Sequence, residues 1–171
     1  MDNFLLLSGA WWYKILIKWE EVVNKNIMLI GEYTHTADEK NRISLPSKFR
    51  KEVGKKIVVT HGLDKCLFIY PMKEWQKISE KLSGMGIGQA DNRGFSRFML
   101  AGAVEVDVDA IGRILIPDFL KEFAGLETKV VFAGVHNRIE IWNDKKWDEY
   151  KKQIEKQADG MAEKLGQVGI F

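Results

Sequence analysis

One twelve-residue phrase occurs twice in this chain, and an internal duplication restricts the fold before any other feature is weighed. The first copy is Asp38-Glu39-Lys40-Asn41-Arg42-Ile43-Ser44-Leu45-Pro46-Ser47-Lys48-Phe49. The second is Asp109-Ala110-Ile111-Gly112-Arg113-Ile114-Leu115-Ile116-Pro117-Asp118-Phe119-Leu120, 71 positions further on. Both read Asp, three residues, Arg, three residues, Pro, two residues and a large apolar side chain. The likeness extends outward: Tyr33-Thr34-His35-Thr36 and Val104-Glu105-Val106-Asp107 precede the phrase. Lys56-Ile57-Val58-Val59-Thr60 and Lys129-Val130-Val131-Phe132-Ala133 follow it. Cys66-Leu67-Phe68-Ile69-Tyr70 then answers Arg138-Ile139-Glu140-Ile141-Trp142, and each copy closes on Trp75 or Trp147. Two copies of so long a unit make a pair sharing one core rather than a solenoid.

Each unit has the same predicted order. Leu29 to Asp38 alternates and reads as a strand, Glu39-Lys40-Asn41 as a polar turn with Asn41 tolerating positive φ, and Arg42 to Leu45 as the return strand. Pro46 suits the first turn of a helix over Ser47 to Val53 that buries Phe49 and Val53, and Gly54 closes it. Ile57–Thr60 and Leu67–Tyr70 form a second hairpin, and a helix after Pro71 puts Trp75, Ile78 and Leu82 on one face. Ser83 to Gly88 is glycine-rich and reads as a linker, not a phosphate loop, since no Lys-Ser/Thr follows it. Gln89 to Leu100 reads as a helix with Arg93 and Arg97 four apart on one face, where phosphate, a neighbouring subunit or water could meet them and water is the default. The second unit repeats the order: strands Ala103–Asp109 and Arg113–Ile116, a helix from Pro117, strands Lys129–Ala133 and Arg138–Trp142. Asn143-Asp144 then caps a helix expected to run to Gln157, with Asp159-Gly160 interrupting it.

The phrase Gly31-Glu32-Tyr33 with His35, the run Asp38, Arg42, Pro46, Phe49-Arg50, and the second Asp109, Arg113, Pro117 together resemble the MraZ family, from about Met28 to the chain end. Genes of that family head the bacterial division and cell-wall cluster. The resemblance implies an α+β fold: a tandem duplicated AbrB-like swapped-hairpin β-barrel with short helices after each repeat. The expected division is a first repeat at 28–83, a linker and helix at 84–102, and a second repeat with a C-terminal helix at 103–171.

Residues 1–27 stand outside the repeat. Their apolar run is broken by Lys14 and Lys18 and falls short of the ~18 residues a membrane span needs. Trp19-Glu20-Glu21-Val22 is encodable by the purine-rich sequence that bacteria place ahead of a start codon, and Met28 follows. The expectation is that residues 1–27 reflect a mis-called translation start. Peptide mapping of the natively expressed protein tests it, and a peptide from 1–27 refutes it.

Composition narrows function by exclusion. The single cysteine, Cys66, rules out an intrachain disulfide and a cysteine-rich zinc site, and its alternating apolar context predicts burial. His35, His61 and His136 lack metal-ligand spacing; His61 and His136 fall in predicted turns, where a solvated ring is expected. No nucleophile elbow or nucleotide loop is present, and Asp107 with Asp109 only shares a strand face. The reading is therefore not an enzyme, with no cofactor, no metal and no small-molecule substrate. Net charge is only +2, but Met28–Trp75 carries nine Lys or Arg against six acids and Gln76–Gly102 four against two, so the basic excess lies in the first repeat and the connector.

The Asp-x-x-x-Arg turn is the candidate site. Four-residue spacing brings Asp38 near Arg42 and Asp109 near Arg113, where the carboxylate can accept turn amides and pair with the guanidinium. Arginine suits bidentate contact with phosphate or the guanine edge; locking two hairpins together is the competing role. In the resembled family the motif is associated with DNA binding, which implies Arg42, Arg113, Lys40 and Lys48 as DNA-binding residues and Asp38 and Asp109 as turn-shaping or assembly residues. The second turn, with Ala110 and Ile111, is less basic, so unequal roles are expected. The resemblance further implies a cytoplasmic, nucleoid-associated transcriptional regulator. It would repress its own division and cell-wall genes by binding repeated upstream sites on double-stranded DNA as a ring-shaped homo-oligomer, without a membrane. An antitoxin-like protein-interaction module of the same fold is the alternative.

Overall fold

The computed structural model describes residues 28–167 and Gly169; the expectation about residues 1–27 lies outside them. Eight strands and five α-helices follow one another as β1 (Leu29–Thr36), β2 (Arg42–Ser44), α1 (Ser47–Val53), β3 (Lys56–His61), β4 (Leu67–Pro71), α2 (Met72–Ser83), α3 (Ala90–Ser96), β5 (Val104–Asp107), β6 (Arg113–Leu115), α4 (Asp118–Ala124), β7 (Lys129–His136), β8 (Arg138–Asn143) and α5 (Asp144–Gln167). A π-helical turn, Arg97–Ala101, extends α3. The three prolines sit one residue ahead of α1, α2 and α4, at the cap position rather than inside the first turn.

Two sheets form. Six strands run in the order β1-β7-β8-β4-β3-β5, and β2 pairs with β6 as a separate two-stranded ribbon. All pairings are antiparallel. The expected β1–β2 hairpin is reduced to one bridge, Ala37 to Ile43. Instead β1 of the first repeat pairs with β7 of the second, Leu29 opposite His136 through Thr36 opposite Lys129. Reciprocally, β5 pairs with β3 of the first repeat, Lys56 opposite Asp107 through Val59 opposite Val104. The sheet thus reads the same from either edge once the repeats are exchanged. It is not the closed barrel expected: β1 and β5 end the sheet as edges, because the short β2 and β6 leave it to pair with each other.

Side chains alternate across the sheet, and the central strands β3, β4 and β7 are buried on both of its faces. One face carries Leu29, Ile57, Val59, Leu67, Ile69, Val130, Phe132, Ile139 and Ile141, covered by Ile43 and Ile114 of the ribbon, Phe49 and Val53 of α1, and Leu120 and Ala124 of α4. The other face carries Cys66, Phe68, Tyr70, Val131 and Trp142 under Leu82 and Met99, with Trp75, Ile78, Trp147 and Tyr150 at its margin. The repeated tryptophans therefore share one layer.

Three expectations need correction here. Helix α5 does not stop near Gln157 but passes through Asp159-Gly160 to Gln167. One interior glycine costs about 1 kcal/mol relative to alanine, too little to break a helix flanked by good formers. Arg97 is exposed, as expected, but Arg93 is only partly so and is not left to water: its Nη1 donates to the carbonyls of Ile87 (2.7 Å) and Gly88 (3.0 Å), tying down the glycine-rich linker. His61 is not a solvated turn residue. It ends β3 half-buried, stacked on Phe98 at 4.9 Å and edge-on to Phe123 at 4.4 Å, with Nδ1 3.0 Å from the Phe98 carbonyl. His136 is exposed, as expected, with φ 61.

Candidate nucleic-acid interface

The two Asp-x-x-x-Arg phrases fold alike. Asp38 Oδ1 accepts the amides of Lys40 and Arg42, both at 2.9 Å, while Oδ2 accepts Arg42 Nε at 2.8 Å and lies 2.7 Å from Nη2. In the second copy Asp109 Oδ1 accepts the amides of Ile111 (3.1 Å) and Arg113 (2.8 Å), and Oδ2 accepts Arg113 Nε at 2.8 Å. One carboxylate thus closes the turn and fixes the guanidinium. The amide bond from each arginine's own N–H is the main cause holding both carboxyls below their ordinary range, with the side-chain pairing adding to it. The residue before each arginine has positive φ: Asn41 at 57° and Gly112 at 83°.

From these turns the chain enters the ribbon, whose register is Arg42 opposite Leu115, Ile43 opposite Ile114 and Ser44 opposite Arg113. The pair Ile43–Ile114 is buried and marks the centre of the pseudo-twofold relation. Alternation puts Arg42, Ser44, Arg113 and Leu115 together on the outward face. The ribbon therefore brings Arg42 and Arg113 onto one surface, one on each strand, at opposite ends. Each retains about a third of its side-chain surface exposed, 36% for Arg42 and 29% for Arg113. The Nε edge is taken by aspartate, and the Nη1 group of neither arginine has a described partner. Lys40, at the tip of the first turn, and Lys48, in the first turn of α1, are both exposed.

The turns do not stand alone, and this the sequence reading missed. The Asn41 carbonyl accepts the Ile116 amide (3.1 Å), and the Gly112 carbonyl accepts the Leu45 amide (2.9 Å). Arg50 of α1 crosses to the second turn, with Nε on the Leu45 carbonyl (2.7 Å) and Nη1 on the Ile111 carbonyl (2.9 Å). Lys121 of α4, at the repeat-equivalent position, reaches the first turn, with Nζ 2.6 Å from Asn41 Oδ1. Asp118 takes the other end of that amide, Asn41 Nδ2 donating at 2.6 Å. Arg50 is therefore occupied, not part of a free basic patch. The signal was present: Arg50 and Lys121 are both cations 71 positions apart, like the arginines themselves.

Among the described residues no group of His, Cys, Asp and Glu could hold a metal ion, and no helix is long and apolar enough to cross a membrane. Cys66 is buried, with its thiol donating to the Leu63 carbonyl at 3.1 Å and its pKa pushed far up by burial.

Comparison with known proteins places this architecture. The family described as "MraZ protein, putative antitoxin-like" matches twice, over residues 28–98 and 99–166. A protein of Caldanaerobacter subterraneus subsp. tengcongensis is 49% identical over 143 residues, covering 84% of this chain and all of that protein. One of Syntrophomonas wolfei is 46% identical over 143 residues with the same coverage, and one of Moorella thermoacetica 46% over 138 residues, covering 81% of this chain and 96% of its own. All three are named transcriptional regulator MraZ, not enzymes. With both repeats matched and near half the residues shared across whole relatives, the chain belongs to the MraZ family.

Proposed function

We propose that this protein is a sequence-specific DNA-binding transcriptional regulator that reads DNA through the outward face of the β2–β6 ribbon. The observation that carries the proposal is the pair of arginines, each clamped by its own aspartate and both on that one face. A two-stranded ribbon fits the major groove, and arginine is the side chain suited to the O6/N7 edge of guanine. Pairing to aspartate through Nε leaves each Nη1 group for a base or phosphate and removes the search among rotamers. Lys40 and Lys48 add phosphate contacts beside Arg42; the second turn, with Ala110 and Ile111, offers none, so the first repeat carries more of the affinity. Asp38 and Asp109 shape the turns. The names carried by the relatives support regulation of transcription.

In this reading the protein represses its own division and cell-wall gene cluster from the cytoplasm, associated with the nucleoid. It does so as a ring-shaped homo-oligomer in which the same ribbon, repeated around the ring, meets directly repeated sites and multiplies a weak single contact. The exchange of β1 and β5 between repeats supports an AbrB-like swapped-hairpin unit, with repeats at 28–83 and 103–171 joined by 84–102.

The test is fluorescence-anisotropy binding of residues 28–171 to the DNA upstream of its own gene and to shuffled DNA, across a salt series. Tight binding that prefers the upstream sequence and falls steeply with salt is expected, because counterions leave DNA as Arg and Lys engage. Arg42→Ala should weaken it at least about tenfold, the scale of one bidentate base contact, with the oligomer unchanged by light scattering. Equal weak binding to both DNAs overturns the reading and leaves a nonspecific basic surface, and partner pull-downs then test the antitoxin-like protein-interaction module.

A further inference from the structure

The two arginine turns are held from across the repeat boundary, and by equivalent residues. Arg50 leaves α1 of the first repeat and spans from its own Leu45 carbonyl to the Ile111 carbonyl of the second turn. Its guanidinium lies over Gly112 so closely that a Cβ there would overlap it. Lys121 leaves α4 of the second repeat and holds Asn41 of the first turn, whose amide is fixed at its other end by Asp118.

We infer that Arg50 and Lys121 are positioning residues, each setting the arginine turn of the opposite repeat, so that Arg113 is aimed from α1 and Arg42 from α4. As a statement about DNA contact this rests on the function proposed above; as a statement about turn geometry it does not. Three features support it. The residue before each arginine has positive φ, which glycine adopts freely and which asparagine tolerates with outside contacts as added support. Asn41 receives that support through its side chain, from Lys121 and Asp118. The Gly112 turn has no side chain to hold, so Arg50 grips the Ile111 carbonyl directly. The two solutions differ in chemistry and agree in topology: a cation on a helix reaches the turn that precedes the other repeat's helix.

The consequence for recognition is coupling. A change in α1 reaches Arg113, and a change in α4 reaches Arg42, although neither helix cation is placed on the ribbon's outward face. A direct phosphate contact by Arg50 is the rival account, and the two separate cleanly. A contact adds its loss to that of Arg113→Ala and lowers the salt dependence by about one ion. A positioning residue does neither, since its effect passes through Arg113.

The experiment uses the full chain with Arg50→Met, Arg50→Lys, Arg113→Ala and the double variant Arg50→Met/Arg113→Ala. Hydrogen–deuterium exchange of the Ile111 and Arg113 amides, both bonded to Asp109, reads the turn without DNA. Arg50→Met should raise exchange at both amides about tenfold and Arg50→Lys less, as expected for loss of charge-assisted bonds. DNA affinity should fall about tenfold in Arg50→Met, fall by less than about twofold further on the Arg113→Ala background, and keep the wild-type salt slope. Unchanged exchange, or a fully additive loss with a reduced slope, overturns the inference. Should Arg50→Met not fold, Lys121→Met carries the same test, read at the Lys40 and Arg42 amides with Arg42→Ala as its partner. If wild-type protein shows no preference for the upstream DNA, the proposed function falls, and the exchange measurement alone decides the positioning role.

Discussion

Asp38 and Asp109 each accept two backbone amides and a guanidinium with one carboxylate, and that economy has a pH signature. Both carboxyls titrate below their ordinary range, so their contribution is present above the unfolded value of about 3.9 and is lost as pH falls below it. His35 is also depressed, by burial and then by the charge of Arg50, so folding loses support from it as pH falls below about 6.5. Thermal unfolding followed from pH 8 to pH 3 should therefore show two successive declines in midpoint. The lower one should become shallower in Asp109→Asn. Gly112 is the other sensitive residue. Its φ of 83° and the Arg50 guanidinium against it mean that Gly112→Ala meets both backbone strain and a clash. A loss of about 1–3 kcal/mol is expected from chemical denaturation, whereas Asn41→Gly keeps the allowed φ and loses only the bonds to Asp118 and Lys121.

At the scale of elements, sequence reading succeeded where local rules decide. Phe49 and Val53 at four-residue spacing and the flanking Pro46 and Gly54 placed α1 over the same residues that the structure shows. Asn143 was legible as a cap, and its Oδ1 does accept the amides of Lys145 (3.0 Å) and Lys146 (3.3 Å). What was not legible is which strand meets which. Alternation along β1 says that one face is buried, and it says nothing of whether the partner lies six residues away in β2 or in the other repeat. The long helix was misread for a related reason: Asp159-Gly160 is a poor local choice whose cost the rest of α5 outweighs. Two substitutions separate these terms. Asn143→Ala removes the cap and also the bond from Nδ2 to the Gly125 carbonyl (2.9 Å), and should cost about 1–2 kcal/mol in denaturant unfolding. Gly160→Ala has open space around it and should raise helicity by circular dichroism while gaining up to about 1 kcal/mol.

The whole molecule is two repeats that cannot be separated at the chain midpoint. Cutting there would strip β1 of β7 and β3 of β5, and leave β2 without β6. Residues 28–98 produced alone should thus lack a cooperative thermal transition, while mixing them with the remainder of the chain should restore one. The arginine face belongs to the pair as well, since a ribbon with one strand from each repeat does not exist until both are present. This pairing also fixes when the protein can form during synthesis. Leu29 leaves the ribosome early, yet its neighbour across the sheet is His136, over a hundred residues later. For most of translation β1 is an unpaired strand with Ile30 on it and Met28 beside it, of the kind that recruits stray strands. A message truncated before β7 should therefore yield a sticky fragment rather than a half-active one, because β1 and β4 would each lack a partner strand.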